Sequence, residues 1–226
     1  MVGGLLYCAT HTRPDVAYSV GMLCRAMAFP THDLLRDAQR VLVYLSRTAH
    51  LGLRYKADQR DVVGSSDSDW DVRHSTTGYV FTYNSAAISW GSKKQPTIAL
   101  SSCEAEIVAA SETAKEALYI SNVLEELGAR KMAPMVVNVD NQGAIDVAYN
   151  PEHFSRMKHV ARRHFFVREC VEQGRIVVPY VRSADNAADF FTKPLPYSTF
   201  SQFRDRIMNV CSEHVVPSTT SDTGGC

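Results

Sequence analysis

The chain is built around one stretch of strand length, Val62-Val63-Gly64-Ser65-Ser66-Asp67-Ser68-Asp69-Trp70. It opens with β-branched apolar residues, which favour a strand, and it ends with two carboxylates separated by one residue. Because the side chains of a strand alternate between its two faces, Asp67 and Asp69 are expected to point the same way. The two carboxylates then either face water at the end of the strand or bind a cation together.

The composition of the chain is that of an ordinary globular protein. It has 226 residues, 45% hydrophobic and 21% charged, which suits one domain with attachments or two small domains. Lys+Arg and Asp+Glu both number 24, so local basic patches must hold any nucleic acid. The six cysteines form no CxxC pair, which indicates reduced thiols. We see no signal peptide and no apolar run of about 18 residues, so secretion and membrane insertion are not expected.

The pattern changes from helices to strands near residue 60. Residues 1–56 carry two apolar stripes at helical spacing, one over 15–27 and one after residue 31, and are expected to pack on another part of the protein. The stretch 62–70 is followed by segments of strand character at 78–83, 87–90 and 97–100. These three or four strands are predicted to form an antiparallel meander, because their connections have hairpin length.

A long helix is predicted from Ser101 to Gly128. Ser101 and Glu104 match a capping box, which gives Glu104 a local role at the helix start. Glu106 lies on a different face and has no such role. It either compensates the helix dipole or, at the margin of a packed apolar face, belongs to a site.

Two further strands precede acidic residues. The first, Met135 to Asp140, is nearly all apolar, which indicates a central strand, and Asp140 stands at its carboxyl end. Asp140 either caps the short helix that follows or belongs to a site at that edge of the sheet. The second strand, Ile176 to Val181, is followed by a helical segment that carries Asp189, and a last helix is predicted over about 200–210.

A basic segment runs from Arg156 to His164 and opens a helix that is predicted to continue to Gly174. This segment is either a solvated helix face or a contact surface for a nucleic-acid backbone. His159, His164 and Cys170 match no standard zinc spacing, so a zinc site is not expected.

Four acids stand where predicted elements begin or end: Asp67, Glu106, Asp140 and Asp189. Clustered carboxylates repel one another unless divalent cations neutralise them, and hard oxygen ligands select Mg²⁺ or Mn²⁺. Two such ions about 4 Å apart activate a water and stabilise the leaving oxygen of a phosphodiester. The pattern therefore favours metal-dependent hydrolysis of a nucleic acid.

Specific motifs occur in order along residues 1–209. They are Thr12-Arg13-Pro14-Asp15-Val16-Ala17-Tyr18, Ser66-Asp67-Ser68-Asp69-Trp70, Ser75-Thr76-Thr77-Gly78-Tyr79, Ile88-Ser89-Trp90-Gly91-Ser92-Lys93-Lys94-Gln95, Ala99-Leu100-Ser101-Ser102-Cys103-Glu104-Ala105-Glu106, Val139-Asp140-Asn141, Lys158-His159, His164-Phe165, Arg168-Glu169 and Ala188-Asp189-Phe190-Phe191-Thr192-Lys193-Pro194-Leu195. With these motifs the chain resembles the ribonuclease H region of copia-like retrotransposon Pol polyproteins.

The resemblance implies an α/β, ribonuclease H-like fold. Its sheet would have five strands, three antiparallel and two parallel, flanked by helices and preceded by an N-terminal helical extension. Residues 1–56 would be a helical remnant of the reverse transcriptase thumb or connection region. Residues 57–196 would form the ribonuclease H-like domain, and residues 197–226 a C-terminal helix with a disordered tail.

The resemblance also implies the reaction and its residues. The RNA strand of an RNA/DNA hybrid would be hydrolysed during reverse transcription, leaving a 3′-hydroxyl and a 5′-phosphate. Two Mg²⁺ ions, with Mn²⁺ as a substitute, would bind the catalytic set Asp67, Glu106, Asp140 and Asp189. Asp67 would bridge both ions, and Asp69 is its rival for that position. The candidate nucleic-acid contacts are Lys93, Lys94, Asn141, Lys158, His159, Arg162 and Arg163.

The expected partners are the hybrid and the reverse transcriptase polymerase domain of the same polyprotein, with no membrane. The expected location is a cytoplasmic virus-like particle or the nucleus.

One departure from the family pattern is the segment from Trp70 to Ser75, which is shorter than usual and lies beside the first acid. Two alternatives to the nuclease stay open: a copy that binds nucleic acid without cutting it, and an interaction module that docks a polymerase or host protein through residues 1–56.

Overall fold

The stretch that ends in Asp67 and Asp69 forms a strand, and the other elements are arranged around it. The structure, a computed structural model, describes residues 1–57, 61–71, 74–128, 134–150 and 161–210. Its helices and strands are α1 (Val2–His11), α2 (Ala17–Arg25), α3 (His32–Arg47), β1 (Val63–Asp69), β2 (Thr76–Tyr83), β3 (Ala86–Lys94), α4 (Ser102–Glu126), β4 (Met135–Asn138), α5 (Gln142–Tyr149), α6 (Ala161–Glu172), β5 (Ile176–Val177) and α7 (Tyr197–Met208). Short 3₁₀ turns lie at Pro14–Val16, Ser183–Asp185 and Ala187–Phe191.

The strands form one mixed sheet in the order β3-β2-β1-β4-β5. β1 pairs antiparallel with β2, and β2 pairs antiparallel with β3. β4 runs parallel to both β1 and β5, because α4 carries the chain back across one face before β4 begins. The predicted sheet of three antiparallel and two parallel strands is confirmed.

The two faces of the sheet bury different cores. Phe81 of β2 and Val137 of β4 pack with α4, α5 and α6 on one face. Val80, the neighbour of Phe81, points to the opposite face and packs against the turn Ala187–Phe191 and α7. Alternation along β2 therefore decides which helices each side chain meets.

The N-terminal helices have a small core of their own and also pack on the sheet. Leu5, Val20 and Leu23 lie in that core. Outside it, the indole nitrogen Nε1 of Trp90 in β3 donates a hydrogen bond to the carbonyl of Ala9 at 2.7 Å. The expectation that residues 1–56 pack on another part of the protein is confirmed, whereas the division at residues 56 and 196 stays a prediction.

One predicted strand is wrong: residues 97–100 form no strand. Pro96 precedes them, and their backbone groups have other partners. The carbonyl of Ala99 accepts from Nε1 of Trp70 at 3.1 Å, and the amide of Leu100 donates to Glu104 Oε2 at 2.8 Å. Because these groups are used, they cannot serve a fourth ladder.

Other element boundaries shift by a few residues. The last helix begins at Tyr197, before the predicted residue 200, and β5 has two residues because Pro179 lacks an amide hydrogen. The segment 151–160, which holds Lys158 and His159, lies outside the described residues, as does the predicted tail beyond residue 210. In the described ranges, no helix combines the length and apolar character needed to cross a membrane.

Candidate active site

Three aspartates meet at the carboxyl edge of the two central parallel strands. Asp67 lies in β1, and Asp140 follows the end of β4, whose carboxyl end lies at the same edge because the strands are parallel. Asp189 comes from the turn Ala187–Phe191, which covers one face of the sheet. Each offers a carboxylate oxygen, and these three oxygens lie within 4.8 Å of one another. We call Asp67, Asp140 and Asp189 the aspartate cluster.

Glu106 approaches from the opposite face of the sheet. Its Oε1 accepts a hydrogen bond from the amide of Ser68 in β1 at 3.2 Å, next to Asp67. Its Oε2 is buried and has no hydrogen-bond partner among the described residues. Glu106 is outside the three-residue group, yet the charges of Asp67 and Asp140 act on it.

Glu104 and Asn141, rather than Glu106 and Asp140, make the local hydrogen bonds at the starts of α4 and α5. Ser101 Oγ accepts a hydrogen bond from the amide of Glu104 at 3.1 Å, and Glu104 Oε2 accepts one from the amide of Leu100 at 2.8 Å. The side chain of Asn141 caps α5 by accepting from the amide of Ala144 at 3.0 Å. The capping interpretation of Asp140 is therefore wrong, because its neighbour is the cap.

The position of Asp67 depends on Thr192 and on a glycine. Asp67 is only 3% exposed, and the hydroxyl of Thr192 donates to its Oδ2. Gly78 of β2 lies opposite Asp67 in the strand register. A Cβ at Gly78 would lie 2.5 Å from Cγ2 of Thr192 and 2.9 Å from the carbonyl oxygen of Ala188. The glycine therefore leaves the space through which Thr192 reaches the carboxylate.

Burial and mutual repulsion raise the pKa values of these acids. Burial, and then the charge of Asp189, raise the pKa of Asp67 to about 7. Burial, and then Asp67 and Asp140, raise the pKa of Glu106 to about 9. Burial also raises the pKa of Asp189, against the effect of Lys193. The cluster thus holds negative charge at an energetic cost that a cation would relieve.

Lys193 is a charged neighbour of the aspartate cluster that was not among the candidate site residues predicted from the sequence. Its Nζ lies 2.9 Å from Asp189 Oδ2 in an ion pair whose lysine side chain is 38% exposed. Thr192 and Lys193 follow Asp189 directly in one of the family motifs, and this was the available signal.

Asp69 lies outside the aspartate cluster. It shares a strand face with Asp67, as predicted, but it is partly exposed. The charges that act on it are those of Lys193, Asp71, Asp189 and Arg25. The assembled carboxylates thus include Asp67 and not its rival.

The candidate nucleic-acid contacts that the structure describes differ in their surroundings. Lys93 and Lys94 are exposed at the end of β3, and Lys93 Nζ lies 5.9 Å from the centre of the Tyr79 ring. Arg163 Nη1 donates to Thr97 Oγ1 at 3.1 Å. Arg162 lies in the first turn of α6. These contacts, together with Asn141, Lys158 and His159, stay predictions.

The residues present fit divalent cations. Besides Glu106 Oε2, the buried Oδ1 of Asp189 has no hydrogen-bond partner within the part of the chain that the structure describes. Buried polar atoms are normally satisfied, so unpaired carboxylate oxygens beside a like-charged cluster indicate a missing positive ligand. An all-oxygen set suits Mg²⁺ or Mn²⁺.

The fold and the site define a class: an α/β protein with a ribonuclease H-like sheet and a carboxylate cluster at its central edge. The chain is 39% identical over 212 residues to the "Retrovirus-related Pol polyprotein from transposon RE1" of Arabidopsis thaliana, covering 92% of this chain and 14% of that protein. It is 36% identical over 210 residues to the corresponding polyprotein of transposon TNT 1-94 of Nicotiana tabacum, covering 91% of this chain and 16% of that protein. The chain is therefore homologous to a region of copia-type retrotransposon Pol polyproteins and spans about a seventh of the length of these relatives.

A likeness to a solved structure was also found. The N-terminal RNase H domain of rv2228c from Mycobacterium tuberculosis matches with a TM-score of 0.44 and 14% identity, covering 64% of this chain and 96% of that one. No protein-family model matches the chain.

Proposed function

We propose that this chain is a divalent-metal-dependent nuclease that hydrolyses the RNA strand of RNA/DNA hybrids during retrotransposon reverse transcription. The observation that carries the proposal is the aspartate cluster, three carboxylates within 4.8 Å of one another at the central edge of the sheet. The products would be a 3′-hydroxyl and a 5′-phosphate. The natural partner would be the polymerase domain of the same polyprotein, in a cytoplasmic particle.

Asp67, Glu106, Asp140 and Asp189 would hold the cations, Mg²⁺ or Mn²⁺. When bound, such cations polarise a phosphodiester and lower the pKa of a coordinated water. The chain contributes orientation. Thr192 fixes one oxygen of Asp67, and the amide of Ser68 fixes one oxygen of Glu106, so each acid keeps a further oxygen for a ligand.

The charge distribution around the cluster supports binding of a polyanion by local contacts. The chain has no net charge, so attraction must come from cations near the site rather than from the whole molecule. Lys93 and Lys94 at the end of β3 and Arg163 on α6 are the described candidates for backbone contacts. Discrimination of RNA would come from contacts with 2′-hydroxyl groups across the shallow minor groove of the hybrid.

The test is the cleavage of a labelled RNA/DNA hybrid with Mg²⁺ by the full chain and by Asp140→Asn. We expect the substitution to lower the rate by about 10³-fold, because it removes a carboxylate that would share the transition-state charge. The matched control is Asp37→Asn, which removes an exposed acid of α3 whose ion-pair partner is Arg40 of the same helix. Phosphatase sensitivity of the downstream product's 5′ end checks the polarity of cleavage.

Two results would overturn the proposal. One is cleavage by Asp140→Asn at the rate of the unmodified chain. The other is hybrid binding by the unmodified chain with no product at any concentration of Mg²⁺ or Mn²⁺, which would select the binding-only alternative.

A further inference from the structure

The N-terminal helix α2 reaches the same edge of the sheet as the aspartate cluster. α2 lies over β3, where a Cβ on Gly21 would be 3.5 Å from the carbonyl oxygen of Ser92. Ala17, at its start, packs with the apolar cluster between the sheet and α7. This is the face that Asp67 presents to Thr192, so α2 and the turn Ala187–Phe191 share one side of the sheet.

Arg25, the last residue of α2, bonds directly to the hairpin that carries the site. Its Nη2 donates to Oγ1 of Thr76, the first residue of β2, at 3.1 Å. Thr76 is buried and pairs with Asp69 in the β1–β2 register. Two positions along β1 from that pair stands Asp67. The guanidinium group thus contacts the end of the hairpin two cross-strand pairs away from Asp67 and Gly78.

Charges of alternating sign connect Arg25 with the cluster. Partial burial lowers the pKa of Arg25, and the charges of Tyr18, Asp69 and Asp71 oppose that change. The positive charge of Lys193 opposes the rise that burial causes in the pKa of Asp69, and Lys193 also forms the ion pair with Asp189. From the helix to the site, the charges therefore alternate in the order Arg25, Asp69, Lys193 and Asp189.

We propose that Arg25 is a positioning residue for the candidate active site. It holds the Asp69–Thr76 end of the hairpin, and thereby the carboxylate of Asp67, so the N-terminal helices are part of the nuclease and not a separable attachment. This inference rests on the proposed function for its activity readout, and cation binding tests it separately.

The surroundings of Arg25 favour this role over a direct contact with nucleic acid. The guanidinium is half-buried, it donates to a buried hydroxyl, and two carboxylates act on it. A phosphate at that place would meet the negative charges of Asp69 and Asp71. An arginine that has to bind a backbone phosphate would gain from an open, uniformly positive surface.

The experiment compares Arg25→Met and Arg25→Lys with the unmodified full chain. We expect Arg25→Met to lower kcat on the hybrid by about 10- to 100-fold with KM changed less than about twofold, because misplacement of a reacting group lowers kcat. In the absence of nucleic acid, its Kd for Mn²⁺, measured by calorimetry, is expected to rise by about tenfold. Arg25→Lys should recover part of both effects, since the charge is kept and the planar fork is lost.

The matched control is Arg40→Met. Arg40 is an exposed arginine on α3 whose Nη1 lies 2.9 Å from Oδ1 of Asp37 in the same helix. Its removal should leave kcat, KM and the Mn²⁺ Kd unchanged.

Thr76→Val adds a test of the contact itself. If Arg25 acts through Thr76, the double variant should lose no more kcat than Arg25→Met alone, since both changes break one interaction. Fully additive losses would contradict the mechanism. A rise in KM with unchanged kcat would make Arg25 a nucleic-acid contact and overturn the inference, as would unchanged kcat and Mn²⁺ affinity. If the unmodified chain cleaves nothing, the proposed function fails, while a weaker Mn²⁺ affinity of Arg25→Met would still support positioning.

Discussion

Two buried acidic sites in this chain have opposite hydrogen-bonding states. In the N-terminal helices, Asp15 accepts from Arg13 Nε at 2.9 Å, from Arg13 Nη2 at 2.7 Å and from the hydroxyl of Tyr44 at 2.7 Å. Both oxygens of Asp15 are satisfied by protein. At the sheet edge, Glu106 Oε2 and Asp189 Oδ1 are buried without a partner among the described residues.

The difference separates a structural carboxylate from one prepared for a ligand. A buried charge persists when it is paired and hydrogen-bonded, as Asp15 is with Arg13. Around that pair, burial and then the charge of Asp15 raise the pKa of Tyr44 to about 12, so the hydroxyl stays a donor at physiological pH. The carboxylates at the sheet edge have only Lys193 as an ion-pair partner among the described residues, and on the proposed function a bound cation would supply the rest.

The largest expected effect comes from breaking the satisfied site. Asp15→Asn leaves the buried guanidinium of Arg13 without its counter-charge, and we expect the free energy of unfolding to fall by about 3–5 kcal/mol. Urea denaturation of both variants measures this free energy of unfolding. The control, Asp33→Asn, removes an exposed ion pair with Arg36 on α3 and should cost less than about 1 kcal/mol. Equal losses for the two variants would contradict the distinction.

A smaller effect is expected from pH and metal at the unsatisfied site. Without metal, the folded-state pKa values of Asp67, about 7, and Glu106, about 9, exceed those of free carboxyl groups near 4. The folded chain then binds more protons than the unfolded chain between these values, so its stability falls as pH rises from about 4 to about 9. Mg²⁺ at 100 times its Kd should restore about 2.7 kcal/mol at pH 8 and less at pH 5.

Thermal unfolding in EDTA and in Mg²⁺ across this pH range provides the measurement. Glu106→Gln is the matched variant, because it keeps the shape of the side chain and removes one titrating group. Its metal-free stability should depend less on pH than that of the unmodified chain. A steeper or unchanged dependence would mean that Glu106 does not carry the effect.

The smallest expected effect concerns the support of Asp67. Gly78→Ala places a methyl group against Thr192 and the Ala188 carbonyl, and we expect a loss of about 1–3 kcal/mol together with weaker Mg²⁺ binding. Gly4→Ala, in α1 with open space around its Cα, is the control and should stabilise the chain by about 0.5–1 kcal/mol. Calorimetric Mg²⁺ titration measures the affinity for the ion, and denaturant unfolding measures the free energy of unfolding. Equal Mg²⁺ affinity in both variants would argue against the role of Gly78.

Local patterns were sufficient to predict most of the strands and to mark the acids beside them, whereas the five-stranded sheet followed from the family resemblance. Alternation placed Asp67 on one face of β1, and the apolar run before Asp140 indicated a central strand, since both signals depend on residues close in sequence. The same alternation could not separate Asp67 from Asp69. Contacts between distant parts of the chain separate the two, since Asp67 is buried, joins the aspartate cluster and accepts from Thr192, 125 residues away.

Long-range contacts also explain what sequence reasoning missed. Lys193 and Arg25 are ordinary cations in sequence, and their positions beside Asp189 and Thr76 arise from packing of separate elements. The wrong strand at 97–100 has the same origin. Its apolar residues suit a strand, but the indole of Trp70 and the carboxylate of Glu104 take its backbone groups.

The two margins of the sheet have a consequence for how molecules of this chain behave when crowded. β5 offers two residues before Pro179, and β3 ends in Lys93 and Lys94. Short edges, proline and lysine all discourage the strands of neighbouring molecules from adding to a sheet. We therefore expect the chain to resist intermolecular β-pairing at high concentration, with the same two lysines serving solubility as well as any contact with nucleic acid.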